Sequence, residues 1–181
     1  VAANVVLERY PDLVKRILII DLDVHQGNGN AVLFQDQPNV STFSIQCEGN
    51  YFSEKQKSDL DVELPIGCND STYLTTLHHW LRRIEKLTGP EHYDLIFFQA
   101  GVDILKDDRL GRMDISAQGV QRRNELVYDF ARRLDLPLVI CMGGGYPRNP
   151  DDWTPIIDAH TTVYFQAHQY LSRIAKTRRS D

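Results

Sequence analysis

Two carboxylates and an imidazole follow directly after an apolar run near the start of the chain. Residues 17–20 are all large and aliphatic, and Asp21, Asp23 and His25 come next at two-residue intervals. Because side chains two apart share a face of an extended chain, these three groups point the same way. Charges gathered at the end of a buried strand are costly unless a positive ion neutralises them. The segment therefore indicates a metal site at the carboxyl end of a strand.

A second predicted strand, residues 94–98, is apolar after its first residue and leads to Asp103. If the two strands are parallel, their carboxyl ends lie at one edge of the sheet, where α/β proteins bind ligands. Asp23, His25 and Asp103 would then form a three-ligand site with an open position, an arrangement typical of catalytic zinc. Asp21 could orient a catalytic histidine or hold a second cation.

A third apolar run, residues 137–141, ends in three glycines followed by Tyr146. The glycines would allow close approach of the backbone, and Tyr146 could donate a hydrogen bond to a developing oxyanion. Taken alone, a tyrosine beside a glycine turn is a packing residue. Because three predicted strands each end in residues that a metal-dependent site could use, the sequence favours a metal site over simple packing.

The elements that must position these groups alternate along the chain, which predicts an α/β fold with a mainly parallel sheet flanked by helices. Predicted strands cover residues 17–20, 40–45, 61–66, 94–98 and 137–141. Predicted helices cover residues 1–10, 30–35, 73–87, 120–134 and 153–171. Asn69 or Asp70 is the predicted cap of the third helix, whose apolar stripe ends at Leu87. Ser116 is the predicted cap of the fourth helix.

Other charged residues and a pair of histidines are interpreted without a role in the site. Arg122 and Arg123 are predicted to lie on a solvated helix face, and residues 106–112 to form a solvated loop. His78 and His79 fall inside an amphipathic helix, where a solvated or packed role is expected.

Composition restricts the class of protein. The 181 residues suit a single domain, 1–181, and a net charge of −5 argues against direct binding to nucleic acid. Three cysteines without paired spacing favour a reducing cytoplasm. No apolar run approaches the roughly 18 residues of a membrane span.

Three segments, in this order, resemble the metal-dependent histone deacetylase family, which has the arginase/deacetylase fold. They are residues 21–29 (DLDVHQGNG), 99–111 (QAGVDILKDDRLG) and 143–146 (GGGY). The resemblance extends from about residue 17 to 171. Within these segments, the sequences at 26–29 (QGNG) and 108–111 (DRLG) are most similar to the class IV branch and its bacterial relatives.

The resemblance implies an amidohydrolase that removes acyl groups from lysine or a similar amine. It implies that Asp23, His25 and Asp103 bind Zn2+ and that Tyr146 stabilises the oxyanion. Histone tails, other acetylated proteins and acetylated polyamines are all substrates in the wider family, so the substrate stays open.

A monovalent cation, usually potassium, lies beneath the zinc in this family. The resemblance assigns it to the side chains of Asp21 and Ser44, with carbonyls of Asp23, His25 and Ile45.

Other positions follow by the same resemblance. Phe52 and Gly144 correspond to the acyl-lysine tunnel, and Asp108 to an acid that supports the site. Asn28 stands where many members have an aspartate that tunes a catalytic histidine, so the basicity of that histidine would be lower here.

The paired histidines that act as general base and acid in this family precede the first strand recognised here. No such pair occurs before residue 17. We therefore expect the chain to be the carboxyl-terminal part of a longer deacetylase domain, with an exposed sheet edge that favours self-association.

Two alternatives remain. The chain could be a catalytically silent module that binds metal or another protein. An arginase-like enzyme with two manganese ions is disfavoured, because it would need further carboxylates and does not use the Gly-Gly-Gly-Tyr segment.

Overall fold

The computed structural model describes residues 1–50, 54–87 and 93–177, in which strands and helices alternate except where the second strand leads directly to the third. The strands are β1 (Ile17–Asp21), β2 (Val40–Cys47), β3 (Leu60–Leu64), β4 (Leu95–Gln99) and β5 (Leu138–Cys141). The helices are α1 (Ala2–Arg9), α2 (Asn28–Phe34), α3 (Asp70–Leu87), α4 (Ala117–Arg133) and α5 (Thr154–Thr177).

The five strands form one parallel sheet in the order β3-β2-β1-β4-β5. The predicted α/β class is therefore confirmed, and within the described residues every strand pairing is parallel. The central strand β1 places Asp21 opposite Ser44 on one side and Gln99 on the other. Because parallel strands end at one edge, the segments after β1, β4 and β5 meet there.

Helices cover both faces of the sheet, so alternate residues of β1 enter two different cores. Leu18 and Ile20 pack in a core with α3, α4 and α5, whereas Ile17 and Ile19 pack with α1 and α2. This explains why the strand is a continuous apolar run. No helix among the described residues combines the length and apolar character that a membrane crossing requires.

Two helix starts follow the predicted caps. Asn69 Oδ1 accepts a hydrogen bond from Thr72 N at 3.1 Å, and Ser116 Oγ accepts one from Gly119 N at 3.0 Å. These side chains satisfy N–H groups that have no partner within the helix.

Two predictions about helix faces are wrong. Leu87 is 67% exposed, because it is the last residue of α3 and lies past the packed face. Arg123 is fully buried rather than solvated. Helix α4 packs against both α3 and α5 as well as contributing to the core, so only a narrow face of it is left for solvent.

We expect Leu77→Ala to lower the free energy of unfolding by about 2–5 kcal/mol, because Leu77 is fully buried and its truncation leaves a cavity. Leu87→Ala on the same helix removes an exposed side chain and should change stability by less than about 0.5 kcal/mol. Urea denaturation of the two variants checks this, and similar losses would contradict the assigned helix face.

Candidate metal centre

Asp23, His25 and Asp103 converge beyond the ends of β1 and β4. Each offers one ligand atom, and these atoms all lie within 4.8 Å of one another. His25 Nδ1 is 3.1 Å from Asp23 Oδ1 and 3.2 Å from Asp103 Oδ2. The Asp103 side chain is fully buried, whereas that of His25 is 26% exposed, so the group opens toward solvent on one side.

Backbone hydrogen bonds from the same loop fix the carboxylates. Asp23 Oδ1 accepts from His25 N at 3.0 Å, and Asp103 Oδ1 accepts from Val24 N at 2.9 Å. Asp21 Oδ1 accepts from Asp23 N at 3.2 Å. The acids thus shape the loop that carries them, and each keeps a second oxygen for other contacts.

The glycine loop after β5 closes over the two acids. Gly144 N donates to Asp23 Oδ2 at 2.8 Å, and Gly144 O accepts from Val102 N at 2.7 Å. A Cβ on Gly144 would lie 2.0 Å from Asp103 Oδ2, and one on Gly143 would lie 2.7 Å from Gly101 Cα. Glycine is required at these positions because the backbone itself contacts the acids.

Asp108 fixes the backbone of Tyr146. The fully buried Asp108 accepts from Leu110 N and Gly111 N through Oδ1, at 2.8 and 2.7 Å, and from Tyr146 N through Oδ2 at 2.6 Å. Burial raises the pKa of the Tyr146 phenol, with further contributions from Asp103 and Asp23. The phenol therefore stays protonated and able to donate at neutral pH.

The arrangement of charges favours a cation at the centre. Hydrogen bonds to Asp103 and Asp23 raise the pKa of His25 to about 10, against the opposing effect of burial. A proton on His25 therefore offsets part of the negative charge of the two carboxylates, and a metal ion that binds there must displace this proton.

Asp21 lies beside this group, across the strand pairing from Ser44. Burial, followed by repulsion from Asp23, raises the pKa of Asp21 to about 8. A Cβ on Gly27 would lie 2.4 Å from Asp21 Oδ2, and Gly27 N donates to Ser44 Oγ at 3.4 Å. The structure thus brings Asp21 and Ser44 together, and the ionised form of Asp21 would need a nearby positive charge.

The remaining predicted positions are less closely tied to the centre. Asn28 is the half-buried first residue of α2, and its N–H donates to Gln26 O at 2.8 Å. Phe52 lies outside the described residues. His78 and His79 are exposed on α3, as expected for residues outside the site.

Two further residues at the carboxyl edge of the sheet are not part of the sequence motifs. Arg123 reaches the carbonyl of Gly101 from α4. His160 of α5 lies under the glycine loop, where a Cβ on Gly145 would be 2.9 Å from His160 Nε2. Arg123 could have been found from helical spacing, since it falls between the buried Val120 and Val127.

Comparison with protein-family models gives a match to the histone deacetylase domain over residues 1–163. The chain belongs to this family. An uncharacterized protein of Picosynechococcus is 44% identical over 164 residues, which are 91% of this chain and 50% of that protein. Histone deacetylase 2 of Arabidopsis thaliana is 34% identical over 139 residues, which are 75% of this chain and 35% of that protein.

Solved structures of the histone deacetylase family share the fold. The crystal structure of the HDA15 HD domain has a TM-score of 0.67 at 26% identity, over 90% of this chain and 48% of that one. An HDAC homolog complexed with SAHA has a TM-score of 0.62 at 25% identity, over 80% of this chain and 40% of that one. The chain spans half or less of the length of these curated relatives and solved chains.

We expect Gly144→Ala to weaken divalent-metal binding by at least about tenfold, because the added methyl group would displace the Asp103 carboxylate. Gly29→Ala is the matched control, since a Cβ there meets nothing within 4 Å. Titration with Co2+ or Zn2+ checks both variants. Wild-type affinity in a folded Gly144→Ala protein would contradict the assigned centre.

Proposed function

We propose that the protein is a zinc-dependent amidohydrolase that removes an acyl group from lysine or a similar acylated amine. The observation that supports this most directly is the convergence of Asp23, His25 and Asp103 against the glycine loop that carries Tyr146. Membership of the histone deacetylase domain family supports the same reaction class.

The donor set suits zinc. Two carboxylates and one imidazole, open on one side, correspond to catalytic zinc sites, whereas calcium and magnesium prefer oxygen ligands alone. The glycine cradle leaves no room for a side chain between the backbone and the two acids. When bound, Zn2+ polarises a carbonyl group and lowers the pKa of water.

The chain's own residues then bind and orient the substrate. The protonated Tyr146 phenol donates a hydrogen bond to the amide oxygen as negative charge develops on it. Asp108 holds the Tyr146 backbone, and Gly144 holds Asp23, so the donor and the ligand set are fixed to one loop.

Hydrolysis also requires a general base and a general acid. His25 is committed to the ligand set, and His78 and His79 lie exposed on α3. In the whole protein we assign the proton transfers to paired histidines upstream, as the family resemblance implies.

The proposal includes a potassium ion at Asp21 and Ser44. A cation there would offset the burial that raises the pKa of Asp21 and would keep this carboxylate ionised. It would also fix the loop that leads into Asp23.

The test compares wild type, Asp103→Ala and Tyr146→Phe in the protein expressed from its complete reading frame. Wild type and Tyr146→Phe should each bind one zinc, and Asp103→Ala should bind none. Hydrolysis of a fluorogenic acetyl-lysine peptide should fall at least about 100-fold in Tyr146→Phe, the usual effect of removing an oxyanion donor. Zinc binding without hydrolysis in wild type would instead favour the silent metal-binding module.

Zinc affinity should rise with pH between 6 and 8. Since the pKa of His25 is raised to about 10, one proton must leave for each metal bound throughout this range. Affinity should therefore increase about tenfold per pH unit for each proton released. Competition titrations at pH 6, 7 and 8 measure this, and a pH-independent affinity would argue against His25 as a ligand.

A further inference from the structure

Arg123 is a charged side chain in the interior of the protein, with no exposed surface. It extends from α4 toward the carboxyl edge of the sheet, where Nη1 donates to Gly101 O and lies 3.5 Å from Leu22 O. Leu22 directly precedes Asp23, and Gly101 lies two residues before Asp103. One guanidinium thus reaches the backbone of both loops that carry the acidic ligands.

Neighbouring side chains hold this guanidinium in place. Its Nε and Nη2 donate to Asn124 Oδ1 at 3.1 and 2.9 Å, and Asn124 Nδ2 donates to Gln166 Oε1 on α5 at 3.0 Å. The guanidinium carbon lies 5.5 Å from the centre of the Phe98 ring on β4. Arg123 is therefore fixed by direct contacts with Asn124 of its own helix and Phe98 of β4, and Asn124 is in turn held by α5.

The charge of Arg123 has no direct ion pair among the described residues. No carboxylate in that part of the chain lies within 4.0 Å of it, as the ion pairs found there all involve other cations. Burial lowers the pKa of Arg123, while Tyr73, Tyr128 and then Asp103 and Asp23 oppose that effect. The two tyrosines and the two acids thus all favour the charged form of Arg123.

We propose that Arg123 is a positioning residue for the metal centre. Its guanidinium joins the backbone of the loops after β1 and β4, and so fixes the distance between the two acidic ligands that these loops carry. This role rests on the proposed zinc site, and it adds to that site a buried residue that fixes the spacing of the ligands.

The test uses three variants of the same helix. Arg123→Met removes the charge and the donors but keeps a long side chain, and Arg123→Lys keeps the charge while losing the forked donor. Arg122→Met is the matched control, since it removes a charge from the adjacent position, where the side chain is 58% exposed and pairs with Glu125. Zinc affinity is measured by competition with a chelator, ligand geometry by the visible spectrum of bound Co2+, and folding by circular dichroism.

We expect the zinc affinity of Arg123→Met to fall at least about tenfold, as is usual when a group that supports metal ligands is lost. Its Co2+ spectrum should change as well. Arg123→Lys should recover part of the affinity but retain an altered spectrum, and Arg122→Met should match wild type in both measurements.

Wild-type affinity and spectrum in folded Arg123→Met would overturn the positioning role, even if its melting temperature were lower. If Arg123→Met does not fold, Arg123→Lys decides in the same way, because an unchanged spectrum and affinity would overturn the proposal. Failure of the folded wild-type chain to bind zinc would contradict the proposed function itself, which separates the two results.

Discussion

Repulsion between buried carboxylates is the constraint on which the rest of this structure depends. Burial raises the pKa of both Asp21 and Asp103, and repulsion from Asp23 raises each of them further. Such a cluster is stable only when positive groups and N–H donors surround it. Among the described residues, that surrounding is supplied by His25 and by the N–H groups of Val24 and Gly144.

The parallel sheet is what brings these groups together. His25 and Asp103 are 78 positions apart in the sequence, yet β1 and β4 are hydrogen-bonded neighbours and end at the same edge. The loop after β5 then lies over the acids, because β5 pairs with β4 on the far side. The three candidate ligands follow β1 and β4, and the glycine loop follows β5, so short loops are enough to bring these groups together.

The sequence predicts best those features that depend on local pattern. Apolar runs located the strands, side chains two apart located Asp23 and His25, and Ser116 was recognised as a cap. Arg123 was assigned to solvent by its charge, although its position between Val120 and Val127 places it on the buried face of α4. Contacts such as that of Asp108 with the Tyr146 backbone join segments far apart in sequence and have no local signature.

The contact from Asp108 also explains how Tyr146 is held in place although the residue is 37% exposed. A ring with that exposure is not oriented by packing alone, so its position depends on the backbone. Asp108 accepts from Tyr146 N, and Arg109 N donates to Tyr146 O at 2.9 Å, so both sides of this residue are held. Asp108 lies on the same loop as Asp103, and the loop of Tyr146 contacts Asp23 through Gly144. Tyr146 and the candidate metal ligands are therefore parts of one hydrogen-bonded unit, and a displacement of either loop would move both.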